Sequence, residues 1–416
     1  MAFSFLHAAD LHLSSPFQGL ALRDDVLAAK LAGASRDAFV ELIDRALEER
    51  IAFAIFAGDI FDGDWRDSSI ALFFNRQIGR LAKIGVPVFL LKGNHDADSV
   101  VTKSLSLPDL AHQFSTSKPE TFSLPDLRVA LHGRGFSHRA ESDNLARAYP
   151  APKPGWFNIG VLHTSLDGRP GHAAYAPCSL DDLRAKNYDY WALGHVHAHE
   201  VVSTDPFVVY PGNLQGRHIR ETGAKGAVLV DVAENQVTGL RRLIVDRARF
   251  AEITIDASSH EEAPALLRVV EVRAREEAAK AEGRLLALRI RLTGGSALHG
   301  MLAADPARWR DEIDAAAQRA HEDIVLERFS LETRALAASA PRRKNDLQDS
   351  DFDFASLLDE CLDDPDLRSE ALAALAGIAL KFPPGSPGLS EELDDLLAQA
   401  RDLALFSAES KEGEAP

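Results

Sequence analysis

The chain has 416 residues, 46% of them hydrophobic, which is apolar material for two or three domains around sizeable cores. Its two cysteines, Cys178 and Cys361, support neither a disulfide framework nor a thiolate metal site. No apolar run reaches the roughly 18 residues of a membrane span, and the first residues lack a basic leader or cleavage signature, so a cytoplasmic protein without membrane association is expected. The formal charge of −17 is uneven: from Asp346 onward there are 18 acidic and 4 basic residues, which leaves 45 acidic and 42 basic before it. The body is near neutral, so net charge decides neither for nor against a nucleic-acid partner.

Short apolar runs at Ser4–Ala9, Phe53–Ala57, Val86–Leu91, Val129–His132, Asn158–His163 and Tyr190–Leu193 read as buried strands. Amphipathic stretches near 35–50 and 68–84 separate the first three. Strand–helix–strand alternation over 1–245 predicts an α/β layered fold with its chemistry after the strand ends. Residues 246–337 change pattern. Ala251, Ile253 and Ile255 alternate with polar neighbours, and a helix is expected near 261–281. Leu286, Leu288, Ile290 and Leu292 then alternate with Ala287, Arg289 and Arg291, before a helix near 306–320 and a strand at Ile324–Leu331. This predicts a small α+β domain. A polar linker follows at 338–350. Residues 351–416 form an acidic tail whose apolar positions (Phe354, Leu357, Leu358, Cys361, Leu362, then Leu393, Leu396, Leu397, Ala400) suit amphipathic helices, split by the Pro- and Gly-rich run 382–388.

Five motifs stand in one order, each just after an apolar run: Asp10-Leu-His12, Gly58-Asp59-Ile-Phe-Asp62, Gly93-Asn94-His95-Asp96, His163 and Gly194-His195-Val-His197. Alone, each reads as surface accident or core packing. Together they offer carboxylate and amide oxygens and imidazole nitrogens, the donors that divalent cations take. Residues i and i+2 of an extended chain point the same way, which would pair Asp10 with His12 and His195 with His197. Glycines 58, 93 and 194 are expected to let the backbone turn tightly.

The ordered set resembles the calcineurin-like metallophosphoesterases. Within them, Leu6–Leu13, Ser15-Pro-Phe-Gln-Gly-Leu20 and Pro211-Gly-Asn-Leu-Gln-Gly-Arg-His218 resemble the bacterial SbcD and YhaO-type DNA repair exonucleases. The resemblance implies a layered α/β/β/α sandwich with the small α+β domain as a cap. It implies two divalent cations, manganese first, with iron or zinc as alternatives. Asp10, His12, Asp59 and His197 would hold one, and Asp59, Asn94, His163 and His195 the other, with Asp59 bridging. His95 would stand over the scissile phosphate, oriented by Asp96. The activity implied is hydrolysis of DNA phosphodiesters by a water that the two cations activate. A coiled-coil ATPase like SbcC is the implied partner of the helical tail, and a homodimer the implied assembly. The alternative is a small-molecule phosphodiesterase or phosphatase, which leaves the extra domain and tail without a purpose.

Other residues keep two readings each. Asp62 either orders the metal loop or caps the turn. His7 reads as strand packing or as support behind the ligands. Arg217, His218, Arg220 and Lys225 read as a solvated loop or as phosphate-backbone contacts. His132, His138, His172, His199, Trp65 and Phe73 read as structural or exposed.

Overall fold

The computed structural model describes residues 1–13, 15, 25–62, 68–98, 106–168, 175–336 and 354–379, with a few more between 393 and 404. Ser15 apart, the resemblance-bearing run 16–20, Trp65, His172 and the linker 338–350 lie outside the described residues.

Residues that are apolar on both sides of a strand need cover on both faces. Two six-stranded sheets meet that need. The first has the order β12-β11-β1-β2-β3-β4, from β1 (Ala2–Ala8), β2 (Phe53–Phe56), β3 (Val88–Leu90), β4 (Ala111–Gln113), β11 (Gly226–Ala233) and β12 (Gln236–Ile244). The second has the order β5-β6-β7-β8-β10-β9, from β5 (Glu120–Leu124), β6 (Val129–Gly133), β7 (Phe157–His163), β8 (Tyr190–Gly194), β9 (Glu200–Thr204) and β10 (Phe207–Tyr210). Strands β1 to β4 run parallel, as do β6, β7, β8 and β10.

The alternation of side chains makes three apolar layers. Phe5, Phe53, Ile55 and Phe89 of the first sheet pack with Leu131, Phe157, Ile159 and Tyr190 of the second. Leu6, Ala54, Phe56 and Leu90 face the other way, onto Phe39 and Leu42 of helix Asp25–Glu48 and Phe74 and Ile78 of helix Ser68–Ala82. Leu162, Trp191 and Tyr210 close the far side with Tyr149 and Leu183. The result is the layered α/β/β/α sandwich expected from the sequence.

Differences from the sequence reading are local. The strand expected at Val86–Leu91 is shorter, Val88–Leu90, although Pro87 O still accepts from Ala54 and the Leu91 amide donates to Phe56 O. The reading also passes over β4, β5, β9, β10 and the antiparallel pair β11–β12, which closes the first sheet beside β1.

Residues 248–335 contain a three-stranded sheet in the order β13-β14-β15: β13 (Ala248–Asp256), β14 (Leu285–Ser296) and β15 (Ile324–Ala335). Helices Ala263–Ala281 and Pro306–Ala320 lie between its strands in sequence. Beyond it are helices Phe354–Asp363 and Pro365–Ala379. Among the described residues, no helix is long and apolar enough to cross a membrane.

Candidate metal centre

The five motifs arrive at one place because β1, β2, β3, β7 and β8 all end there, at the carboxyl edge of the parallel strands. Their convergence is not strand alternation, as the sequence suggested. Strand β1 stops at Ala8, and Asp10 and His12 both sit at left-handed φ (52° and 42°), as do Asp59 (53°) and His195 (100°). Non-glycine residues rarely hold this conformation, and such strain gathers at functional sites. Of the three glycines, only Gly58 turns through positive φ. Gly93 and Gly194 are needed for space: a Cβ there would lie 2.2 Å from Asp59 Oδ1 and 2.1 Å from Ala57 O, respectively.

The imidazoles share one orientation. His12 Nδ1 donates to Asp62 Oδ1 at 2.7 Å, His197 Nδ1 to Glu221 Oε1 at 2.7 Å, and His163 Nδ1 to Ala57 O at 2.9 Å. Each outward bond aims Nε2 inward, where His12 and His197 keep a lone pair, whereas His163 Nε2 faces the acceptor oxygens of Asn94 and Asp59. Inside, His12 Nε2 and His197 Nε2 stand 3.2 Å apart, and His163 Nε2 lies 3.0 Å from Asn94 Oδ1. Asp59 Oδ2 lies between, 3.4 Å from His163 Nε2 and 3.9 Å from His12 Nε2. Among the described residues three groups of donor atoms result: Asp10, His12 and His197; Asp59, His163 and His195; and, nearer the rim, His12, Asp62 and His95.

The charge balance suits a cation. Asp10 and Asp59 are both wholly buried. Burial, with Asp59 adding to it, pushes Asp10 up to about 8 against the pull of His163. Burial works to lower His163, but Asp59 and Asp10 override it and hold the imidazole at about 9. A proton there answers the same negative field that a divalent cation would. Burial lowers His12, with Arg217 assisting, and brings His197 to about 4, so both are neutral bases at pH 7. Two facing neutral imidazoles beside buried carboxylates are a mixed nitrogen and oxygen donor set suited to a divalent transition metal.

The remaining expected residues fall as follows. His95 donates its amide to Asp59 Oδ1 at 2.9 Å, and its ring stands at the rim with 30% of the side chain exposed. The buried carboxylate of Asp96 accepts the amides of Ile60, Phe61 and Gly93, tying two loops together. The carboxylate beside His95 Nδ1 is Asp62 Oδ1, at 3.3 Å. His7 is strand packing: its Nδ1 meets Tyr190 Oη and its Nε2 meets Leu193 O, both at 3.0 Å. His132 is buried between Thr121 and Asn158, His199 bonds Tyr210 O, Phe73 packs on the core, and His138 is exposed.

The four basic residues do not make one exposed patch. Arg217 turns onto Glu221 Oε1 at 3.3 Å and lies 3.7 Å from Asp62 Oδ1. His218 Nε2 lies 3.4 Å from Glu221. Lys225 is buried, with Nζ donating to His197 O at 3.1 Å, and Arg220 is exposed. Glu221 itself escaped the sequence reading. It stands three residues beyond the run 211–218, and nothing in its spacing marks it.

The calcineurin-like phosphoesterase family model matches residues 3–199, the stretch that carries every one of these inward imidazoles. The chain carries a calcineurin-like phosphoesterase domain. Residues 250–334 match the middle domain of metallophosphoesterase YhaO. An uncharacterized metallophosphoesterase YhaO of Bacillus subtilis is 38% identical over 239 residues, 56% of this chain and 59% of its own. A DNA double-strand break repair protein Mre11 of Sulfurisphaera tokodaii is 25% identical over 272 residues, 61% of this chain and 66% of its own. The chain thus spans less than two thirds of the length of these relatives. A solved dimetal phosphatase from Danio rerio aligns with 59% of the chain at 13% identity and a TM-score of 0.34.

Proposed function

We propose that this phosphoesterase domain is a two-cation phosphodiesterase acting on DNA. The observation that carries the reading is the set of three imidazoles, each bonded outward through Nδ1 and aimed inward through Nε2, around two buried carboxylates. Asp10, His12, Asp59 and His197 would hold one divalent cation, and Asp59, Asn94, His163 and His195 the other. Bound there, the pair supplies Lewis acidity toward phosphate oxygens and a water of lowered pKa. Asp59 lies between the groups and holds His95 through its amide. The rim position of His95 suits a proton donor to the leaving oxygen, with Asp62 holding Nδ1 so that Nε2 faces the substrate. Manganese is the cation proposed, with iron or zinc as alternatives.

DNA as substrate is supported by the similarity to a protein named for DNA double-strand break repair. We assign residues 1–245 to catalysis, 246–337 to a cap over the substrate, 338–350 to a linker and 351–416 to partner docking. Leu357, Leu367 and Leu372 of the tail helices are exposed, which suits docking on a coiled-coil ATPase. Loss of ATPase co-purification on removal of 346–416 is expected; unchanged co-purification would refute docking. Arg217 and Arg220 would contact phosphate, so alanine at both should flatten the salt dependence of DNA binding. We also propose a homodimer, and light scattering of the full chain decides it.

The deciding experiment is manganese-dependent cleavage of end-labelled duplex and single-stranded DNA beside bis-p-nitrophenyl phosphate, for wild type and His95→Ala. Loss of DNA cleavage by about 10²–10⁴-fold in the variant is expected for a proton donor. Hydrolysis of the small ester with DNA untouched, even with a coiled-coil ATPase added, would transfer the reading to a small-molecule phosphodiesterase.

A further inference from the structure

Arg217 is a cation set beside a group of cation donors. Its Nη2 lies 3.2 Å from His197 Nδ1 and 3.3 Å from Glu221 Oε1. Burial first, with this charge assisting, lowers both His12 and His197. A field that repels a proton from these imidazoles also repels a metal ion. Lys225 is buried too, but its Nζ is taken up by His197 O. Arg217 keeps donors in hand. Its Nη1 stands 3.7 Å from Asp62 Oδ1, beyond hydrogen-bond distance, and its Nε–H is buried without an acceptor among the described residues. Unpaired donors on a buried guanidinium are costly, so their position calls for a reason.

Holding Glu221 is not that reason. Glu221 is bonded to His197 Nδ1 at 2.7 Å, Asn213 Nδ2 at 2.9 Å and the main-chain amide of residue 217 at 2.8 Å. None of these bonds uses the Arg217 side chain. What that side chain does reach is the rim. Asp62 Oδ1 lies 3.3 Å from His95 Nδ1, so Arg217 Nη1 and the His95 ring flank one carboxylate oxygen. Both side chains keep exposed surface, whereas His12 and Asp59 are almost wholly buried. The loop that carries Arg217 is also fixed in advance. Gln215 Nε2 donates to Ala248 O at 2.6 Å and its Oε1 accepts the Arg247 amide at 2.8 Å. A Cβ at Gly216 would lie 2.7 Å from Glu221 O. The guanidinium therefore has its place before a substrate arrives.

We propose that Arg217 is a catalytic residue that donates through Nη1 to a non-bridging oxygen of the scissile phosphate, across Asp62 from His95. The proposal rests on the phosphodiesterase reading above. It separates Arg217 from Arg220, which that reading leaves on the DNA backbone. A guanidinium at this position answers the negative charge that grows on the phosphoryl oxygens during attack. The same charge opposes the metal, so Arg217 favours phosphate and disfavours the cation.

The test is Arg217→Met in the full chain, read by calorimetric titration with Mn²⁺, by titration of the Mn²⁺-loaded protein with orthophosphate, and by hydrolysis of bis-p-nitrophenyl phosphate. That ester has a single phosphate, so a contact to neighbouring backbone phosphates cannot contribute. Mn²⁺ affinity should stay the same or rise. Orthophosphate should bind about 10- to 100-fold more weakly, and kcat on the ester should fall about 10²–10³-fold. Arg217→Lys keeps the charge without the fork, so it should bind Mn²⁺ as wild type does and lose less phosphate affinity than methionine. The lysine variant carries the test if the melting curve shows that the methionine variant does not fold. Weaker Mn²⁺ binding in a folded variant would make Arg217 a brace of the metal donors and overturn the proposal. Unchanged ester hydrolysis with weaker DNA binding would return Arg217 to the backbone and overturn it as well. Wild type that takes up Mn²⁺ yet hydrolyses neither ester nor DNA sinks the phosphodiesterase reading itself, and the role of Arg217 with it.

Discussion

Gly194→Ala tests how the two sheets are brought together at the centre. Gly194 ends β8 in the second sheet, and Ala57 follows β2 in the first. A Cβ at 194 would lie 2.1 Å from Ala57 O and 2.8 Å from His163 Nδ1, far inside the roughly 3.5 Å at which non-bonded atoms rest. Backbone must therefore move, and the His163 Nδ1 bond to Ala57 O goes with it. Overpacking of this kind costs about 1–3 kcal/mol, read as a lower urea midpoint. The same movement should weaken Mn²⁺ at the His163 group. Gly79→Ala is the matched control: it sits in helix Ser68–Ala82 with nothing within 4 Å of its Cβ. It should gain about 0.5–1 kcal/mol. A Gly194→Ala protein as stable as the control, with intact metal uptake, would refute the close-approach argument.

Other perturbations follow from single contacts. Tyr190→Phe leaves buried His7 Nδ1 without its 3.0 Å partner, at a cost of about 1–3 kcal/mol by urea denaturation. Burial depresses His7 to about 3 in the folded chain, so its stability contribution is complete above the unfolded value of about 6.5 and is lost as pH falls toward 3. His7→Gln should flatten the fall of the midpoint between pH 7 and 5; an unchanged slope would exclude His7 as a source. Arg289 grips both oxygens of Glu327 at 2.7 Å, and that carboxylate is only 3% exposed. Arg289→Met should cost about 1–3 kcal/mol, largely recovered in the double variant with Glu327→Leu. Chelation should abolish ester hydrolysis and lower the melting temperature, both restored by Mn²⁺; a chelated protein that still hydrolyses would contradict a metal-dependent site.

The sequence by itself determined the layered fold and singled out the candidate donor residues. Strands buried on both faces are written as continuous apolar runs, so Phe53–Phe56 and Tyr190–Gly194 were legible without neighbours. Asp10, His12, Asp59, Asn94, His163, His195 and His197 stood out as candidate donors because metal chemistry restricts residue type and each follows such a run. Only the tertiary structure decided how those residues face inward. Their convergence comes from left-handed turns at Asp10, His12, Asp59 and His195, not from strand alternation. It also decided the outer partners. Asp62 serves both His12 and His95, Asp96 serves main-chain amides, and Glu221 reaches His197 from a different loop. A carboxylate that acts through a histidine 24 residues away leaves no local pattern, because the bond is made by packing and not by spacing along the chain.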